Sequence, residues 1–134
     1  PTGLTPQETI RILKEQGAFI SVSHPFDRLR KGGWEEKDLL EIIDQVDAIE
    51  IFNSRCMNPM FNVKAKQFAE KYNLAGTVGS DAHAAFEVGT SVILLDQFEG
   101  PSRMRNVIRQ AKYQIKLSSW WVHLVSRYAS MQKK

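Results

Sequence analysis

Three short polar clusters in the chain carry the residue types that do chemistry: Ser23-His24, Asn53-Ser54-Arg55 and Ser80-Asp81-Ala82-His83. Asp81 and His83 are two residues apart. In an extended segment that spacing sends both side chains off one face, so a carboxylate oxygen and an imidazole nitrogen can meet one metal ion. Gly79 and Ala82 leave room for close approach. The same pattern also describes an Asp that caps a helix and a His in an ordinary loop. His24, before Pro25, is either a further imidazole ligand or a histidine satisfied by backbone groups. A histidine and a carboxylate converging from different segments is how metal sites are built, and that makes the two clusters worth taking together. Asn53 is a candidate to reach substrate. Glu50 faces opposite to Ile49 and Ile51, so its carboxylate either orients a ligand from behind or lies on a half-exposed face. Cys56 has no histidine beside it in a nucleophile motif and reads as a quiet, partly buried thiol.

The order of elements decides whether these clusters meet. Thr5-Pro6-Gln7-Glu8 is a helix start with a capping box and a proline in the first turn, and Gly17 suits the cap that ends this helix. Residues 18–23 form a short apolar run of strand character that stops at His24-Pro25. Leu39, Ile42, Ile43 and Val46 recur at helical spacing behind the acidic turn Glu35, Glu36 and Asp38. Residues 48–52 predict a second strand. A helical stripe from Phe61 to Tyr72 follows, which Asn73 can end. Residues 74–79 and 91–95 predict two more strands. Met104, Val107, Ile108 and Ala111 predict a helix with Arg103, Arg105, Arg109 and Lys112 on its other face. Trp121, Leu124, Val125 and Tyr128 predict a short terminal helix, on whose polar side His123 reads as structural. Strands alternating with helices make a mainly parallel α/β sheet. In such folds sites gather beyond the C-terminal strand ends, where all three polar clusters fall.

Composition bounds the rest. A chain of 134 residues that is 43% hydrophobic and 25% charged has the size of one domain and enough apolar side chains for a core. It carries no apolar run of about 18 residues and no basic-then-apolar opening, and one cysteine makes no internal disulfide; these point to the cytoplasm. Residues 1–100 hold ten Lys/Arg against all fifteen Asp/Glu, whereas residues 101–134 hold eight Lys/Arg and no acid. That basic segment is a solvated helix back, a tracker of nucleic-acid backbone, or a Trp-bearing membrane-surface segment.

Taken in order, Ser23-His24-Pro25-Phe26, Ile49-Glu50-Ile51-Phe52-Asn53 and Gly79-Ser80-Asp81-Ala82-His83 resemble the later motifs of the PHP (polymerase and histidinol phosphatase) family. The likeness covers most of residues 5 to 117. It implies the C-terminal half of a distorted seven-stranded (β/α) barrel, with residues 118–134 a separate basic helix. It also implies two or three divalent transition-metal ions (Mn, Zn or Fe) and hydrolysis of phosphate esters, on a small molecule or a nucleic acid. On that likeness His24, Asp81 and His83 are metal ligands, Asp81 also orients the attacking water, and Arg28 holds a substrate phosphate, because guanidinium matches phosphate oxygens in pairs; the alternative for Arg28 is a surface residue. The opening His-x-His and further early ligands of the family pattern have no counterpart here. A (β/α) barrel takes about 250 residues, and the chain opens on Pro1. The expectation is therefore an incomplete part, inactive alone, that needs its N-terminal half, another subunit or a second copy. The competing expectation is a non-catalytic binding module that engages nucleic acid or a protein through the basic segment.

Overall fold

The computed structural model describes residues 3–29 and 33–122. Helix α1 spans Pro6–Glu15, and its start is as expected: Thr5 Oγ1 accepts from the Glu8 N–H at 3.2 Å, while Glu8 Oε2 accepts from the Thr5 N–H at 2.7 Å. Gly17 follows at φ +71°, a left-handed turn that costs glycine nothing.

Strand β1 is only Ser21–Val22, shorter than the apolar run 18–23. Its entry is pinned by Asp47, whose Oδ2 accepts from the Ile20 N–H at 2.8 Å. Helix α2 (Glu36–Ile42) tightens into a 3-10 turn at Ile43–Gln45 and leads to β2 (Ala48–Asn53). Helix α3 (Pro59–Lys71) is capped by Asn58, which accepts from the Met60 N–H at 3.1 Å. Asn73 ends that helical segment at φ +52°, and β3 is Ala75–Gly79.

The three strands form one parallel sheet in the order β1-β2-β3. Alternation splits their side chains between two faces. Val22 and Ile49 pack with Ile10, Leu39, Ile42, Phe68 and their neighbours from α1, α2 and α3. On the other face Ala48 and Ala75 pack on Ile108. Toward the C-terminal strand ends that second face turns polar, with Ser21 and Thr77 hydroxyls 2.9 Å apart and Glu50 beyond them.

The C-terminal part departs from expectation. The fourth apolar run, β4 (Val92–Leu94), is not a parallel strand of this sheet. It pairs antiparallel with β5 (Lys112–Gln114), a strand that the basic helical pattern hid. Between them lie α4 (Gly100–Val107) and a 3-10 turn at Ile108–Gln110. The described residues are a mixed α/β unit and close no barrel. Only residues 121–122 of the expected terminal helix are described, and they are helical; His123 and the rest lie outside the described residues.

Candidate functional site

The centre of the polar face is Glu50, 9% exposed. Its Oε2 accepts from the His24 backbone N–H at 2.8 Å and lies 2.9 Å from His24 Nδ1. Its Oε1 accepts from Asn53 Nδ2 at 3.2 Å. Two local features allow this. A bulge in β2, where Glu50 pairs with Thr77 and Phe52 with Val78, leaves Ile51 unmatched. Without it, residues 50 and 53 would point to opposite faces; the extra residue brings Asn53 round to Glu50. The second feature is Gly79, where any Cβ would stand 2.7 Å from Glu50 Oε1. Glycine at the end of β3 is the space in which the carboxylate sits.

His24 takes φ +50°, a left-handed turn that carries the chain off β1 and lays the imidazole over β2. Glu50 Oε2 and Asn53 Nδ2 flank His24 Nδ1 at 2.9 and 3.1 Å, a carboxylate that can only accept beside an amide nitrogen that can only donate, so the two together hold the ring from its Nδ1 side. The space enclosed by His24, Pro25, Phe26, Glu50, Asn53, Asn62 and their neighbours is about 10 Å³, room for no more than one water. Chemistry at His24 therefore belongs to its outward side.

Asp81 and His83 follow β3, two strands from His24. Asp81 also has φ +51°, so the segment is not the extended one that the two-residue spacing assumed. His83 folds back, with Nδ1 2.7 Å from the Asp81 carbonyl oxygen and 3.9 Å from Asp81 Oδ1. A carbonyl oxygen can only accept, so in the neutral ring it places the hydrogen on Nδ1 and the lone pair on Nε2; the ring is half-exposed.

What holds this loop is a pair absent from the sequence reading. Arg55 and Glu87 are 4% and 2% exposed, and Arg55 Nη1 donates to both Glu87 oxygens at 2.6 and 2.8 Å. Glu87 Oε2 also accepts from the backbone N–H groups of His83 and Ala84, at 3.0 and 3.1 Å. Burial pushes the Glu87 carboxyl up, but the His83 N–H, the Arg55 guanidinium and the Ala84 N–H outweigh it and hold the group below the usual carboxylate range. The Arg55 N–H donates to Asn53 Oδ1 at 2.9 Å, so one network runs from His24 through Glu50, Asn53, Arg55 and Glu87 to His83. Buried Ser54 and Ser91, with hydroxyls 2.7 Å apart, tie the end of β2 to the β4-β5 pair.

The remaining candidates are placed as follows. Asn53, expected to reach substrate, is 5% exposed and holds its amide toward Glu50, His24 and Arg55. Arg28 is exposed in the loop after His24, close enough to Glu36 to help lower its carboxyl, after the larger effect of Lys64. Cys56 is buried. In the basic segment, Arg105 is committed to packing, donating to Asp47 Oδ1 at 2.8 Å and to the Ala18 carbonyl at 2.6 Å, and Arg109 reaches Asn73. Among the described residues no three His, Cys, Asp or Glu side chains are gathered closely enough to hold a metal ion. Each imidazole has the donor chemistry of a transition-metal ligand and is held from its Nδ1 side.

Residues 59–113, from α3 through β5, match a family model described as PHP-associated. An uncharacterized protein of Methanocaldococcus jannaschii is 41% identical over 96 residues, 69% of this chain. The chain covers 40% of that relative's length. No helix among the described residues is long and apolar enough to cross a membrane. The match over residues 59–113 is consistent with the C-terminal region of a PHP-family protein.

Proposed function

We propose that this chain is the C-terminal part of a metal-dependent phosphoester hydrolase. Its His24, Asp81 and His83 hold divalent transition-metal ions (Mn, Zn or Fe) together with donors supplied by the missing N-terminal part or by another subunit. The observation that carries this reading is the Glu50–His24 pair: a buried carboxylate locked on Nδ1 of an imidazole at a strand end, with Gly79 cleared to receive it. Metal-ligating histidines are commonly held this way. Bound metal would lower the pKa of a water and balance charge on the phosphate. The chain's own residues divide the remaining work. Glu50 and Asn53 set the direction of the His24 ring, and Asp81 orients the attacking water. The Arg55–Glu87 pair fixes the backbone at His83, and exposed Arg28 meets substrate phosphate.

The test is hydrolysis of p-nitrophenyl phosphate and its bis ester by the chain joined to the coding sequence upstream of Pro1, with manganese supplied. The expected result is activity that chelation removes and that His24→Ala and His83→Ala each abolish. Activity indifferent to both substitutions would contradict the reading.

A further inference from the structure

Two cavities meet along β3, between α3 and β5. One, of about 380 Å³, has apolar walls that include Phe52, Val63, Val78 and Ile115. The other, of about 330 Å³, lies toward the start of β3 and reaches Glu70, Asn73 and Arg109. Ile51, Lys66 and Tyr113 border both, so the two are arms of one groove. A space of this size, mostly apolar with a few polar groups, has the form of a small-molecule site.

The groove sorts polarity along its length, and Lys66 is the charge at the junction. Its side chain is 66% exposed, and its ammonium stands 4.0 Å from Glu70 Oε1. That is beyond hydrogen-bond reach, so the N–H donors are open to a ligand. Arg109 makes long bonds, at 3.4 Å, to the neutral oxygens of Asn73. Two cations against the one carboxylate of Glu70 leave one positive charge in the polar arm. A monoanion balances it.

One wall joins the groove to His24. Asn62 lines both the apolar arm and the small space beside the imidazole. Its amide clamps the backbone of Asn53: Oδ1 accepts from the Asn53 N–H at 3.0 Å, and Nδ2 donates to the Asn53 carbonyl at 3.1 Å. The Asn53 amide nitrogen in turn lies 3.1 Å from His24 Nδ1. A ligand that presses on α3 at Asn62 therefore moves the residue that holds the His24 ring.

We infer that this groove binds an amphipathic monocarboxylate, its aliphatic chain among Phe52, Val63, Val78 and Ile115 and its carboxylate on Lys66, and that Asn62 relays its presence to His24. Such a ligand regulates the site rather than reacting in it.

NMR titration of the ¹⁵N-labelled full chain in chelator-containing buffer tests it, with hexanoate, octanoate, octylammonium and acetate as probes. Octanoate should bind saturably and about 15-fold more tightly than hexanoate, since each buried methylene contributes roughly fourfold. Acetate and octylammonium should not bind. Lys66→Met keeps the aliphatic stem and should weaken octanoate by about 2- to 5-fold, the range for one exposed ion pair. Val63→Asp should abolish binding. Ile115→Ser, at a position that is 53% exposed, should weaken it and serves as a variant that does not endanger the fold. The His24 ring ¹⁵N resonances should shift along the same saturation curve. No saturable binding, octylammonium equal to octanoate, no gain from hexanoate to octanoate, or binding that survives Val63→Asp overturns the site. His24 resonances that stay put at saturation overturn the relay. Self-association that Ile115→Ser abolishes would assign the groove to a second copy, and binding lost once the upstream coding sequence is joined would assign it to that sequence; either overturns the inference. Because the assay excludes metal, its failure and a failure of metal ligation are read separately.

Discussion

Replacing Arg55 with alanine removes the guanidinium from a carboxylate that is 2% exposed. Breaking a buried pair from one side costs about 3–5 kcal/mol, because the surviving charge is stranded. The stranded group has one escape, which is to take a proton. From an ordinary glutamate value of about 4.3, protonation at pH 7 costs about 3.7 kcal/mol, and at pH 5 only about 1 kcal/mol. The His83 and Ala84 N–H groups still favour the ionised form, and the lost Val122 contact adds a little. Arg55→Ala should therefore destabilise by about 4 kcal/mol at pH 7, a midpoint shift of roughly 2 M urea at a slope of about 2 kcal/mol/M. The gap to the parent protein should narrow by about 2–3 kcal/mol on going to pH 5. The narrowing comes from the variant, in which the stranded Glu87 carboxyl is driven up by burial and gains stability by taking a proton as pH falls; the depressed Glu87 of the parent keeps its full contribution above the ordinary glutamate range and loses it only as pH falls through its lower folded value. Urea unfolding of both proteins at the two pH values is the assay. A loss under about 1 kcal/mol at pH 7, or one that does not change with pH, would refute a paired, buried Glu87.

Gly79→Ala places a methyl 2.7 Å from Glu50 Oε1, so the carboxylate must leave its seat. A cost of about 1–3 kcal/mol is expected in urea unfolding, with the His24 Nδ1 resonance shifting in imidazole ¹⁵N spectra as the Glu50 contact is lost; an unchanged resonance would show that Glu50 keeps its place beside the ring. Arg105→Ala removes bonds to Asp47 and Ala18 and should cost about 1–3 kcal/mol, whereas Arg103→Ala, at an exposed position, should change stability by less than about 0.5 kcal/mol. Equal effects of the two would mean that Arg105 is a surface charge like its neighbour.

Much of the scaffold was legible because local chemistry and tertiary packing agree there. Thr5, Pro6 and Glu8 announce α1, Asn73 ends the α3 segment, and the apolar runs give β2 and β3 nearly to the residue. β5 was hidden because Lys112, Tyr113 and Gln114 are all exposed, so no apolar face marks a strand, and the basic spacing continues a helical register. The direction of β4 has no local signal at all. The candidate ligands were found by type and strand-end position, but their arrangement was not. Asp81 adopts a left-handed backbone, which Asp tolerates, and that breaks the alternation assumed for Asp81 and His83. The bulge at Ile51 is equally silent, yet it joins Asn53 to Glu50. Arg55 and Glu87 are 32 positions apart, and Glu87 follows Ala84-Ala85-Phe86, where nothing distinguishes a buried carboxylate from a solvated one. Glu50 was noticed only as a carboxylate among isoleucines; Gly79 across the strand was the missing half of that signal.

Elemental analysis bears most directly on the proposed role of His24, Asp81 and His83. The chain joined to its upstream coding sequence should hold two or more transition-metal ions, and His24→Ala, Asp81→Ala and His83→Ala should each lower that content without unfolding the protein. A metal-free parent, or a metal content that none of the three substitutions changes, would contradict it.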